Sequence, residues 1–327
     1  PFDVRALVLE GEMTLASDES GIAGGESFRL RAGERGGHPF AEITAATGLG
    51  ASRGISYLLG RIEVGRDGPW LPAGLDVQRS PRYRLRGMHP NGWAANHPYA
   101  FRCWNEADWL RYVDMLFHLG ANHLLLWPSP DIIPVPLSRA DEEYLAEVRR
   151  VVAYARDARG MEVWIMQSAN RIALSDAGVA DPRHRPYWLP GVQVDLDPGD
   201  PAQLEAILRA REPLYRIVDN ADGFAVIDSD PGGWNGSPVD AYLGLLLRTR
   251  ALVDRLHARG PAAKLVSWLW QGWGFTSWDP AAREPVIAET VRGMRDRLDE
   301  PWMLIAGTGL YLPYLERLGV LDRTVYL

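Results

Sequence analysis

From residue 82 onward the chain alternates short apolar segments with longer helical patterns, and this alternation limits the fold more than any other feature. Strand-like segments fall at 83–89, 122–127, 161–167, 223–228, 263–270, 302–306 and 324–327. Between them, 109–119, 141–159, 201–219, 238–259 and 280–298 carry helical spacing. Strands and helices in strict succession imply a parallel sheet, and seven in a row favour a β/α barrel over an open sheet. A (β/α)8 TIM-type barrel needs eight strands. The segment at 324–327 is the seventh, so the chain is expected to stop before the barrel closes, a further C-terminal segment of the same protein completing it.

Residues 1–80 read as a separate small α/β domain ahead of a barrel spanning 81–327. Its expected strands are 2–9, 26–31 and 42–46, its helix is 52–62, and 69–81 reads as a linker. Gly48 and Gly50 lead into that helix without a Lys-Ser/Thr pair or Rossmann spacing, so they serve packing rather than phosphate binding.

Composition removes several function classes. A formal net charge of −7 gives no basic footprint for nucleic acid, and Lys264 is the only lysine, so the positive charge is carried by arginine. No apolar run approaches the roughly 18 residues of a membrane helix, and no membrane partner is expected. Cys103 is the single cysteine, which excludes an internal disulfide and leaves the compartment open between cytoplasmic and secreted or periplasmic. Thirteen tryptophans are the unusual count: indoles offer flat apolar faces on which sugar rings stack, although large cores also use them.

Within the barrel the stretch 222–236 stands out, an apolar β-branched run closing on Asp228-Ser229-Asp230 and a Pro-Gly-Gly breaker. If strand geometry holds through Ser229, both carboxylates point to one side at the mouth of a buried strand, where desolvating them is costly unless chemistry or binding uses them. The alternative is a turn in which Asp230 bonds its own backbone.

Because barrel active sites lie at the C-terminal ends of the strands, the residues after each strand are the candidates. They are Arg86, His89, Asn91 and Trp93; Trp127; Gln167, Asn170 and Arg171; Asp228, Asp230, Trp234 and Asn235; and Trp268, Trp270, Gln271 and Trp273. The sixth strand offers Thr308 and no acid. Amides, arginines, indoles and a carboxylate pair suit a polyhydroxylated ligand. Metal ligation would draw on His89, His123, Asp228 and Asp230, but no tight ligand spacing is present, so neither metal nor cofactor is expected. His118 and His123 read as capping or core residues, and Asp141-Glu142-Glu143 as a solvated helix start. There is no Gly-x-Ser-x-Gly elbow, and Cys103 lacks the strand context of a nucleophile.

Tyr83-Arg84-Leu85-Arg86-Gly87-Met88 after a small α/β domain resembles the start of the barrel in the β-hexosaminidase and α-glucuronidase superfamily of glycoside hydrolases. The likeness to bacterial and fungal α-glucuronidases runs through 159–168, 217–238 and 264–268, and a second, to α-N-acetylglucosaminidases, through 99–104 and 109–122. The resemblance covers most of the chain and implies a glycosidase cleaving a terminal sugar or uronic acid. In the α-glucuronidases the fourth strand carries a Ser-Glu-Gly segment whose glutamate is the general acid. Ser229-Asp230-Pro231-Gly232 stands there, so the resemblance gives Asp230 that role with a side chain one methylene shorter. Asp228 becomes its pKa-tuning or substrate-orienting partner, and the arginines suit a uronate carboxylate. The expected partner is a carbohydrate, and a homodimer is compatible. A non-catalytic carbohydrate-binding protein on the same fold is the alternative.

Overall fold

The computed structural model describes residues 14–15, 24–36, 38–66, 68–72, 74–90, 100–187, 189–230, 232–233, 237–257, 262–274 and 279–326. Asn91, Trp93, Trp234, Asn235 and the strand expected at 2–9 lie outside them. The chain divides into two compact units, Pro1–Arg86 with Met115–Ala121, and Gly87–Asp114 with Asn122–Leu327.

In the first unit β1 (Thr14–Leu15), β2 (Phe28–Arg35), β3 (His38–Ala45) and β6 (Leu75–Arg79) form a sheet in the order β1-β3-β2-β6; β4 (Glu63–Gly65) and β5 (Gly68–Trp70) make a separate hairpin. Strand β2 shows period-two burial, with Phe28, Leu30 and Ala32 inside and Arg29 and Arg31 outside. Helix α1 (Gly48–Leu59) covers the apolar face, its first turn capped by the Thr47 hydroxyl accepting from Gly50 N–H at 3.0 Å. Gly50 and Gly54 are packing residues: a Cβ on Gly50 would lie 2.5 Å from the Ser27 carbonyl oxygen, and one on Gly54 2.5 Å from Ile43 Cγ2, whereas Gly48, expected to pack as well, has open space where a Cβ would stand. The linker expected at 69–81 is instead sheet, since β6 pairs antiparallel with β2 from Leu75↔Ala32 to Arg79↔Phe28. Only Leu75 and Val77 alternate inward on this half-buried edge strand, too short a pattern to stand out between prolines.

The second unit is a seven-stranded, wholly parallel sheet with a helix in every crossover. In chain order it runs β7 (Gly87–Met88), α2 (Glu106–His118), β8 (His123–Leu126), α3 (Arg139–Ala153), β9 (Glu162–Ser168), a small hairpin β10 (Arg171–Ala173) and β11 (Gln193–Asp195), α4 (Pro201–Ile217), β12 (Gly223–Ile227), α5 (Val239–Leu256), β13 (Lys264–Leu269), α6 (Pro280–Arg297), β14 (Trp302–Ala306), α7 (Leu312–Arg317) and β15 (Thr324–Tyr326). Helices α4 and α6 begin at Asp-Pro pairs, Asp200 and Asp279 capping and proline occupying the first helical position. The first strand is shorter than the expected 83–89, since residues 82–84 bend before it; the Arg86 side chain donates to the Tyr83 carbonyl at 2.7 Å.

The sheet is curled into a half-barrel. Strands β7 and β13 are four positions apart, about 19 Å across a flat sheet at normal strand spacing. Yet His89, one residue past β7, meets the Trp268 ring of β13 with centroids 5.2 Å apart. On the convex face Val226, Leu265, Leu269, Leu304 and Ala306 pack with Tyr242, Leu246, Ile287 and Val291 of the helices. The opposite parity, including Trp164, Ile227 and Trp268, lines the concave face.

Asp141 departs from the solvated helix start expected of it. It is fully buried, closes a capping box with Ser138, and pairs at 2.6 Å with Arg185, which is 1% exposed. The partner comes from 44 residues away, so no local pattern announces it.

Candidate active site at the strand ends

Four rings follow one another across the concave mouth. His89 stacks on Trp127 (centroids 6.4 Å, 27°) and meets Trp268 edge-on; Trp268 in turn meets Trp270 at 6.0 Å. His89, Trp127, Trp268 and Trp270 are therefore candidates that the fold brings together from the ends of β7, β8 and β13. Burial lowers the His89 pKa, and its Nδ1 lies 3.2 Å from the Leu125 carbonyl, an oxygen that only accepts. Because that carbonyl only accepts, the ring carries a proton at Nδ1.

Behind Trp127 sits a carboxylate that the sequence reading missed. Asp131, 2% exposed, accepts from the Trp127 indole N–H at 3.3 Å, the Tyr187 hydroxyl at 3.2 Å and the Ser168 hydroxyl. Burial raises its pKa, and these donors and the Arg171 charge oppose the rise. Its only sequence signal is its place in Trp127-Pro128-Ser129-Pro130-Asp131, directly after the second strand.

The two aspartates of the fourth strand do not share a side. Strand β12 stops at Ile227, and Asp230 takes a left-handed backbone (φ 48°), so alternation does not carry through Ser229. Asp228 is 1% exposed and its carboxylate accepts from Ser229 Oγ (2.9 Å) and from the backbone N–H groups of Trp270 (3.1 Å), Gln271 (3.3 Å) and Gly272 (2.9 Å). Burial pushes it up to about 6 despite those four donors. It is a clamp joining the end of β12 to the turn after β13. Asp230 is exposed, and its carboxylate makes no hydrogen bond or ion pair with the described residues.

The remaining candidates are held in place by other groups. Asn170 donates to the Leu196 and Gly233 carbonyls (2.7 and 3.0 Å) and accepts from Gly233 N–H (2.7 Å), so it staples the loop that carries Asp230. Gly232 must lack a side chain there, because a Cβ would lie 2.6 Å from Asn170 Oδ1. Arg171 forks onto Asp195 at 2.7 and 2.8 Å. Gln167 is on the convex face, where its amide donates to Tyr215 of α4, and so stands away from the mouth. Arg86 belongs to the first unit, donating to Glu26 (2.6 Å) and Gly120 (3.0 Å). Gln271 is buried with its backbone on Asp228, and Trp273 packs on Tyr242 in the helix layer. His118 meets Ser56 Oγ at 2.9 Å, and His123 is 5% exposed against Trp164. Among the described residues no group of three or more His, Cys, Asp or Glu side chains is disposed to hold a metal ion.

No family model matches the chain, and no curated protein matches it in sequence. Solved structures do. A β-N-acetylhexosaminidase from Bacteroides fragilis is 14% identical with a TM-score of 0.55, over 90% of this chain and 59% of that one. A Flavobacterium johnsoniae chitobiase is 16% identical with a TM-score of 0.54, over 87% and 46%. A GH138 enzyme targeting the pectin rhamnogalacturonan II is 14% identical, also at 0.54, over 89% and 33%. The chain thus spans between one third and three fifths of the length of these structures. What it shares with them is the fold, and that fold is the one found in glycoside hydrolases.

Proposed function

We propose that the protein is a glycoside hydrolase that cleaves a terminal sugar or uronic acid from an oligosaccharide, with Asp230 as the general acid. One observation carries this reading: an exposed carboxylate without a partner among the described residues, in a left-handed backbone conformation, at the C-terminal end of the fourth strand of a glycosidase-like half-barrel. A non-glycine residue in that conformation costs free energy, and such strain persists where the surroundings over-determine it, commonly at functional sites. In the reaction Asp230 gives its proton to the glycosidic oxygen as the bond breaks, while Trp127 and Trp270 present ring faces to the sugar. Asp228 is a positioning residue, holding the Trp270–Gly272 turn through three N–H bonds. A uronate, the substrate that the α-glucuronidase likeness implies, calls for a cation, and Arg171 would have to exchange Asp195 for it.

The sequestration of Asp228 and Asp131 favours a second reading. In most glycoside hydrolases, retaining or inverting, two carboxylates flank the bond, and these two are buried behind their donors, so a carbohydrate-binding protein on the same fold also accounts for the mouth. A panel of nitrophenyl glycosides and glucurono-oligosaccharides, assayed with the full-length protein and its Asp230→Asn variant, separates the two. Turnover lost in the variant is the expected result; sugar binding without turnover in the wild type would establish the binding protein instead.

A further inference from the structure

Asp131 is a buried carboxylate at the mouth to which the reaction gives no task. The chain reaches it through Trp127-Pro128-Ser129-Pro130-Asp131, where two prolines fix φ and Ser129 takes a left-handed backbone (φ 53°), so the carboxylate returns behind the indole four residues before it. The turn is held from outside. Gln193 Nε2 donates to the Asp131 carbonyl at 2.9 Å, and Arg185 to the Ile132 carbonyl at 3.0 Å. Backbone strain of the Ser129 kind persists only where the surroundings fix it. From this fixed place Asp131 Oδ2 accepts from the Trp127 indole N–H (3.3 Å) and the Tyr187 hydroxyl (3.2 Å), and Oδ1 accepts from the Ser168 hydroxyl. The three donors come from the end of β8, the loop between β10 and β11, and the end of β9. They are not equivalent. A hydroxyl can turn and accept instead, whereas an indole N–H can only donate, so the tryptophan is the donor that needs an oxygen at this point.

We propose that Asp131 is a positioning residue, whose carboxylate locks the Trp127 indole in the orientation in which the ring receives a sugar. This rests on the reading of the mouth as a carbohydrate site and holds for a hydrolase and a binding protein alike. Rotation of a tryptophan ring about Cβ–Cγ is soft and roughly two-fold. The ring contacts with His89 (6.4 Å, 27°) and Tyr187 (5.7 Å, 83°) bear on the plane of the indole, and the bond to Asp131 sets which edge faces inward. A sugar stacks on that ring in the bound state and in the transition state alike, so a loosened platform weakens binding and spares the chemical step.

Two substitutions separate positioning from filling of space. Asp131→Asn keeps an oxygen for the indole and Tyr187 and sets an N–H against Ser168 Oγ, whose own proton can turn to the Arg171 carbonyl 3.4 Å away. Asp131→Leu keeps the volume and removes the acceptor. Both delete the negative charge that Arg171 and Arg211 face, so both should lower stability; they differ at the indole. The full-length protein is labelled with 15N-tryptophan, and Trp127→Phe assigns the Trp127 N–H resonance. The probes are methyl pyranosides of glucose, galactose, mannose, xylose and glucuronic acid for Kd, and the matching nitrophenyl glycosides for KM and kcat. Asp131→Leu should shift the Trp127 resonance and raise Kd and KM about three- to tenfold, with kcat within about twofold of wild type. Asp131→Asn should keep the resonance and the affinity, and the effect of Asp131→Leu should vanish in a Trp127→Phe background. Affinity unchanged in Asp131→Leu, an equal loss in Asp131→Asn, or a wild-type Trp127 N–H that exchanges with water as fast as an exposed indole overturns the proposal. The last measurement needs no substitution, so a variant that fails to fold does not spoil the test. A wild type that neither binds nor cleaves any probe removes the carbohydrate reading itself, whereas binding indifferent to Asp131→Leu removes the role of Asp131 alone.

Discussion

Two buried groups in the half-barrel should titrate against each other across the mildly acid range. His123 is 5% exposed against the Trp164 ring, and burial lowers its pKa from 6.5 to about 4. Asp228 is 1% exposed, and burial raises its pKa from 3.8 to about 6. A base whose folded pKa is depressed contributes stability present above its unfolded pKa and lost as pH falls toward the folded one. For His123 that loss runs from about pH 6.5 down to 4 and amounts to roughly 3 kcal/mol. An acid whose folded pKa is raised does the opposite. The contribution of Asp228 is complete below about pH 3.8 and is lost as pH rises through 6, again roughly 3 kcal/mol. In the wild type the two slopes offset. Urea denaturation of wild type, His123→Gln and Asp228→Asn between pH 4 and 7 reads each one, and the constant cost of each substitution drops out of the comparison. From pH 7 to 4 the wild type should lose about 3 kcal/mol relative to His123→Gln and gain about as much relative to Asp228→Asn. Stability curves parallel to the wild type in either variant would refute the burial argument for that residue.

Arg185→Met should cost about 4 kcal/mol in the same assay, because it strands the buried Asp141 carboxylate and removes donors from the Ile132, Val179 and Ala180 carbonyls; a cost under about 1 kcal/mol would mean that water replaces the guanidinium without penalty. Asp230→Gly should leave stability unchanged or raise it by up to about 1 kcal/mol, since glycine relieves the left-handed backbone and the carboxylate has no partner among the described residues to lose. A loss above about 1 kcal/mol would show that the side chain holds its turn.

The parallel sheet was legible because several crossovers carry helix starts, at Ser138, Asp200-Pro201 and Asp279-Pro280, and the strands between them are mostly apolar runs. Those runs hide which way a side chain faces. Both faces of such a strand are buried, so nothing in the local pattern distinguishes Gln167 on the convex side from Trp164 or Trp268 on the concave one. The same blindness joined Asp228 to Asp230. The reading assumed extended geometry through Ser229, and the left-handed turn at Asp230 separates a buried clamp from an exposed acid. Tertiary partners were out of reach altogether. Arg185 for Asp141, and Tyr187 and Ser168 for Asp131, come from 37 to 56 residues away, and only the fold makes them neighbours.

The role of Asp230 is tested most directly by leaving-group dependence. A general acid matters when the departing oxygen needs a proton and little when it leaves readily as an anion. For the Asp230→Asn variant of the full-length protein, kcat/KM on an oligosaccharide substrate should fall about 10²- to 10⁴-fold, while kcat/KM on the matching dinitrophenyl glycoside should fall far less. Equal losses on both substrates, or no loss on either, would contradict the assignment.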